Sequence, residues 1–206
     1  MFEKDKSIMS GSGEFNENEH PRDSDGKFIN KNSGQAKLTV NQLSQQINDV
    51  LSGNYKDRHI TLSQETPKIL QNIGIPNKPL LMTKRHAYLA VNKDGIYKRK
   101  DDHYHNLGKD LFINIPSFLK SPILVFQSND DSRDIIAVIN AVDKNNNPII
   151  VPVRINGKGN QNFIEIDANI AKSAYGRNNI NDFIKKHVTK NNLLLVENKK
   201  IRNYKP

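Results

Sequence analysis

At 206 residues, 35% hydrophobic and 26% charged, the chain is long enough for one domain with a full core, too short for two large ones, and partly too polar to pack. The absence of cysteine excludes disulfides, Cys-based zinc sites and thiol nucleophiles. The first 36 residues carry five basic and seven acidic side chains (5 − 7 = −2), so of the net +9 the remainder holds +9 − (−2) = +11, which favours an anionic partner, nucleic acid ahead of an anionic membrane.

Residues 1–36 are rich in Gly, Ser, Asn and alternating charges with no apolar period, and read as a disordered tail or linker; residues 37–206 form a single domain. The N-terminus lacks an apolar signal-peptide core, and the longest apolar run, "PIIVPVRI" from Pro148, is far below the roughly 20 residues of a membrane span. A soluble protein made in a cytoplasm is expected.

Thr39 and Gln42 in "TVNQ" offer a capping box, followed by the stripe Val40, Leu43, Ile47, Val50 and Leu51, which ends at Gly53. A second helix is predicted from Thr66 as N-cap and Pro67 at N1, with Ile69, Leu70 and Ile73 facing inward and Gly74 as the stop. "KPLLMT" reads as a short strand. Lys84 to Ala90 has helical character, but Asp94-Gly95 and the charges after it predict a long polar loop. Asn106 is placed as the cap of a helix over residues 107–113, and Pro116 starts a further turn that ends near Lys120.

From Pro122 the pattern changes. "ILVFQS", "DIIAVINAVD", "PIIVPVRI" and "NFIEIDANI" are rich in β-branched residues and separated by "NDDSR", "KNNN" and "NGKGNQ", which spells an antiparallel meander. A helix from Asn179, with Ile180, Phe183, Ile184 and Val188 at helical spacing, and a last strand "LLLVEN" complete the chain. The expected fold is α+β, with N-terminal helices packed on one face of an antiparallel four- to five-stranded meander sheet, behind a flexible N-terminal tail.

No P-loop, dinucleotide fingerprint, G-x-S-x-G elbow or H-E-x-x-H is present. "NGKGN" at 156–160 lacks Walker spacing and reads as a hairpin loop, from which Lys158 could touch a backbone phosphate. His86, His103 and His105 admit three readings: solvated loop residues, ligands of a metal-dependent phosphodiesterase, or acid-base groups. Cleaving RNA without a metal needs a group to take the 2′-OH proton, another to protonate the leaving 5′-oxygen, and a cation for the phosphorane. Two imidazoles with pKa near ~6.5 suit the first two tasks. Lys84, Arg85, Lys109 or Lys158 could serve the third. In "SAYG", Ser173 and Tyr175 stand two apart on a strand end and would face one side, a hydroxyl for a phosphate and a ring for a base. They read equally as an ordinary strand end with Gly176 as the turn.

The series "ITLSQETPKILQNIGIPNKPLLMTKRHAYLAV", "HNLGKDLFINIPSFLKSPILVFQS", "IIAVINAVDKNNNPIIVPVRING", "IEIDANIAKSAYG" and "LLLVEN", over about residues 60 to 197, resembles the C-terminal domain attached to phage MuF-type minor head proteins and to polymorphic toxins. The resemblance implies the barnase, EndoU, colicin and RelE-like fold group, whose members are mostly metal-independent ribonucleases with no cofactor. It also implies phage or prophage origin, matching the linker-like "HPRDSDGKF" of the tail. Carried over by position, it makes His86 and His105 the acid-base pair and aligns Ser128, Ser173 and Tyr175 with the remaining polar positions. His103 has no clear counterpart and stands as a bystander or a substrate contact. The expectation is an endoribonuclease that cuts tRNA or mRNA to 2′,3′-cyclic phosphate ends, acting as a toxin in a bacterial cytoplasm or carried in a virion, with an immunity or antitoxin protein as a further partner. The alternative is a phage protein that holds nucleic acid or a host factor without cutting it.

Overall fold

The computed structural model describes residues 40–92, 100, 104–105 and 107–197. The tail, Thr39, His103 and Asn106 lie outside the described residues, and with them the predicted capping box and the predicted helix cap. Helix α1 (Val40–Leu51) buries Leu43, Ile47 and Val50 at i, i+4 and i+7, and stops where Gly53 takes φ +79°. Strand β1 (His59–Ser63), one-turn helix α2 (Lys68–Gln71), strand β2 (Leu80–Thr83) and helix α3 (Lys84–Val91) follow. Helix α4 (Lys109–Phe118) precedes strands β3 (Leu124–Gln127), β4 (Asp134–Val142), β5 (Pro148–Gln161), β6 (Ile164–Ala171) and β7 (Tyr175–Gly176). Helix α5 (Ile180–His187) and strand β8 (Leu193–Val196) complete the domain.

The fold is α+β, but among the described residues the sheet has eight strands in the order β1-β2-β6-β5-β4-β3-β8, with β7 paired to β5. That corrects the expected four- to five-stranded meander. The meander β3-β4-β5-β6 is its centre; β8 adds to the free edge of β3, and β2 adds to β6 in parallel, bringing β1 with it. Helices also cover both faces rather than one. Along β4, Ile135, Ala137 and Ile139 point to the core beneath α1, α3 and α4, whereas Ile136 and Val138 point to a second cluster with Ile180, Phe183 and Ile184 of α5. Fully buried Phe112 and Phe126 anchor the two clusters, each contributing about 1.5–3 kcal/mol by burial.

Several local expectations are displaced. Thr66 does not cap α2; its hydroxyl donates to the carbonyls of Pro76 and Lys78, at 2.9 Å each, and α2 ends after one turn. Helix α4 begins after Gly108, at φ +77°, and runs through Pro116, so the separate turn expected there is the helix's own last turn. "NGKGN" is not a hairpin loop but the distal part of β5, and the turn is Asn162-Phe163, both residues left-handed at φ 53° and 64°. A register shift between Arg154 and Gly157 bends β5. Its far end then reaches β1, where Asn160 N–H donates to His59 Nδ1 (3.0 Å) and Gln161 to Thr61 Oγ1 (3.1 Å). Strand β1 was not predicted; its five residues alternate polar and apolar, but the burial pattern does not follow that alternation, because His59 and Thr61 are buried and paired there.

Gly176 is not a turn residue but part of β7, opposite Ile149. A Cβ on it would lie 2.1 Å from Asp143 Oδ2, an oxygen of a buried carboxylate that caps the β4–β5 turn through the Asn145 and Asn147 amides. Gly176→Ala is therefore expected to destabilise the domain by about 1–3 kcal/mol, read as a lower urea midpoint at unchanged slope. Among the described residues no helix is long and apolar enough to cross a membrane.

Candidate functional site

The β2–β6 pairing is the only parallel one among the described strands. It sets Leu80 and Leu81 beside Asn169 and Ile170, so both strands end at the same rim of the sheet. From the end of β2 the chain turns directly into α3, where Thr83 acts as N-cap, its hydroxyl accepting the His86 N–H at 3.2 Å. From the end of β6 it continues along β5, with Lys172 N–H donating to the Pro152 carbonyl, breaks at Ser173, and resumes as β7. His86 and the "SAYG" segment, 87 positions apart counted from His86 to Ser173 (173 − 86), thereby share one rim.

They line one cavity of about 560 Å³, together with Ser128 at the end of β3, Asp130, Asp134 at the start of β4, Lys172, and Phe183 and His187 of α5. His105 meets the cavity through two of its walls. Its Nε2 lies 3.0 Å from Ser173 Oγ, and its ring stacks on Tyr175 with centroids 5.4 Å apart. The segment bearing it is pinned to the end of α3 by His105 N–H to the Leu89 carbonyl (3.1 Å) and Leu107 N–H to that of Ala90 (3.0 Å). His86 and His105 are thus held by the same helix.

Burial, and then the charges of Arg85 and Lys172, push the His86 imidazole below its ordinary value, so it is neutral at pH 7. Its Nδ1 is buried and has no hydrogen-bond partner among the described residues. Burial holds the Tyr175 phenol above its ordinary value against the opposing charges of Arg177 and Lys172, so the ring stays protonated. Burial alone would raise the Asp134 carboxyl, but hydrogen bonds from Arg154 and Lys172 outweigh it and hold the group below the ordinary range. Lys172 Nζ sits 2.9 Å from Asp134 Oδ2, and Arg154 grips both carboxylate oxygens. The α5 wall is a stack: the Arg177 guanidinium lies 4.7 Å from the Phe183 ring centroid, and Phe183 lies 4.6 Å from His187.

The structure gathers His86, Ser128, Ser173 and Tyr175, with His105 behind them, and does not gather the other expected cations. Lys84 donates to the Tyr55 carbonyl, Lys109 to Asn48 on α1, and Lys158 pairs with Asp167. Arg85 acts on His86 through its charge, and is not part of the cavity lining. Lys172, Asp134 and His187 are absent from the set derived from sequence. His187 had a usable signal, since it stands four residues after Phe183 on the inner face of an amphipathic helix. Lys172 had none, because a lysine at a strand end is ordinarily solvated. Among the described residues no three His, Asp or Glu side chains are grouped as a metal would require.

Fold and cavity together define an α+β domain with imidazole, hydroxyl and ammonium groups at one rim of a mainly antiparallel sheet. The family model of the phage MuF-C-terminal domain matches residues 97–203, just over half of the chain, and the chain belongs to that family. His105, Ser128, Ser173, Tyr175 and His187 fall inside the matched range and His86 outside it. No curated protein and no solved structure matches the chain.

Proposed function

We propose that this domain is a metal-independent endoribonuclease of phage or prophage origin, acting as a toxin or effector. The observation that carries this is the convergence on one cavity of a neutral imidazole (His86), an imidazole-bound hydroxyl (Ser173 on His105) and an ammonium (Lys172). His86 takes the proton of the 2′-OH as its oxygen attacks phosphorus. The P–O5′ bond breaks, and the 5′-oxygen receives a proton from His105 through the Ser173 hydroxyl. Lys172, held by Asp134, faces the charge that grows on the non-bridging oxygens. Tyr175 supplies a ring for a base, and Ser128 a further hydroxyl in the cavity lining. The sheet with helices against it fits the barnase, EndoU, colicin and RelE-like group. A bacterial cytoplasm or a virion, and an immunity or antitoxin partner, belong to the same reading.

A second reading is favoured by the family match itself. Because it begins after His86, the property shared across the family need not use that residue, and the basic surface could hold nucleic acid or a host factor without cutting it. Incubation with total and transfer RNA in EDTA, followed by end-group analysis, separates the two. Fragments with 2′,3′-cyclic phosphate and 5′-hydroxyl ends are expected; intact RNA that is nonetheless bound, from folded protein, would select the binding reading.

A further inference from the structure

A second cleft of about 440 Å³ adjoins the first and shares Ile170 and Lys172 with it. Its other walls are Arg133, Arg154, Asn156, Gly157 and Lys158. Arg133 comes from the turn before β4, Arg154 and Lys158 from the bent part of β5, and Lys172 from the end of β6, so one short stretch of sheet presents four cations. Asp131, Asp134 and Asp167 hold them in place without neutralising all of them. Asp131 accepts from Arg133 Nε (3.2 Å) and Nη2 (3.0 Å), and also from Arg154 Nη2 (2.9 Å). With the Arg154 Nε contact to Asp134, these bonds use Nε and Nη2 of each guanidinium and leave Nη1 for another acceptor, and a planar fork fixed in this way suits a phosphate. Arg133 and Lys158 are open to solvent, with side chains 68% and 64% exposed.

In the floor, Gly157 lets the Ile170 side chain pack against β5, since a Cβ there would meet it at 2.9 Å, and position 157 projects no side chain into the cleft. Arg154 and Lys158 are four residues apart on one strand, roughly 13 Å at about 3.3 Å per residue and somewhat less across the bend. One phosphate cannot span that distance. A row of cations leading away from a cavity that itself takes a phosphodiester matches a strand with a charge on every nucleotide.

We propose that this cleft is a backbone subsite that carries the nucleotides next to the scissile bond, so that a single-stranded RNA several nucleotides long is cut in preference to a dinucleotide. This rests on the ribonuclease reading of the neighbouring cavity for the identity of the polymer, while the cleft's own binding can be measured apart from cleavage.

The test uses the full chain, with Arg133→Ala and Lys158→Ala as single variants. Cleavage is measured on a dinucleoside monophosphate, which fills the first cavity alone, and on a single-stranded RNA of about twelve nucleotides, a length on the scale of single-strand binding sites. Anisotropy of the same labelled RNA in the His86→Ala background measures binding without turnover. The expected result is a fall in kcat/KM of about tenfold for the longer RNA, several times larger than for the dinucleotide, with the slope of log K against log salt reduced by about 0.7 for each lost contact. An equal loss on both substrates, or no loss on either, would overturn the subsite while leaving the cavity's chemistry in place. If the wild-type chain cleaves neither substrate, the catalytic reading fails and the anisotropy series alone decides. Tighter, more salt-dependent binding by wild type than by the variants then supports the cleft, and equal or absent binding refutes it.

Discussion

His86→Ala is expected to lower RNA cleavage by about 10²–10⁴-fold with the fold intact, the range for removing a proton-transfer group. His86 stands in the first turn of α3, half-buried, with the ammonium of Lys172 and the guanidinium of Arg85 close enough to depress its pKa. Those neighbours keep it unprotonated at neutral pH, which a base requires. Its folded pKa lies below the ordinary imidazole value of 6.5, so the acid limb of kcat/KM should fall below pH 6.5 and vanish in the alanine variant. The same shift has a stability sign. The unfolded chain takes up the proton first as pH drops below about 6.5, so the stability from keeping His86 neutral is present above that value and is lost as the pH falls towards the folded pKa. His105→Ala should give a loss in the same range, since it removes both the 3.0 Å partner of Ser173 and the ring beneath Tyr175. Single-turnover cleavage, with circular dichroism to verify folding, measures both variants. A loss under tenfold in each would remove the two histidines from the mechanism.

Asp134→Ala should be the most damaging change to stability outside the apolar core, at about 2–4 kcal/mol. The carboxylate side chain is 7% exposed and binds two cations, Arg154 and Lys172. Deleting it leaves both without this partner, and removal of one member of a buried ion pair typically costs about 3–5 kcal/mol. The expectation lies at or below that range because the Lys172 side chain is 48% exposed and can turn to solvent, and because Arg154 keeps Asp131. A fall of roughly 5–12 °C in Tm follows for a domain of this size. Asp134 titrates below the ordinary carboxylate value when folded, so the difference between wild type and variant should persist from neutral pH downward and shrink as acid protonates the carboxylate. Cleavage should fall as well, since Lys172 loses the contact that holds its ammonium at the cavity. Asp134→Asn, which keeps the volume and one acceptor, should lie between wild type and alanine in both measurements.

The core was legible wherever a single element carried its own period. Leu43, Ile47 and Val50 mark α1, and the β-branched run through Ile135, Ile136, Ala137, Val138 and Ile139 marks β4, although helices were expected on one of its faces and cover both. β1 carried only the five-residue alternation of HITLS, and what buries its His59 and Thr61 is the far end of β5, about a hundred residues away in sequence. α4 was misread at Pro116 because local rules make proline a starter, whereas in the folded chain the helix runs through it to Phe118.

The candidate site divides in the same way. Side-chain chemistry is local information, and the sequence by itself determined that imidazoles, hydroxyls and a surplus of positive charge were available. Only the tertiary structure decided which of these meet. The parallel docking of β2 against β6 brings His86 and Ser173 to one cavity, and the packing of α5 over β3, β4 and β5 closes it with Phe183 and His187. A buried carboxylate turns Lys172 inward, while other contacts take Lys84 and Lys109 elsewhere. The physical reason is that residue periodicity is set by the pitch of one helix or the pleat of one strand. Strand order and ion pairing are set by contacts between segments far apart in the chain, and no local period encodes them.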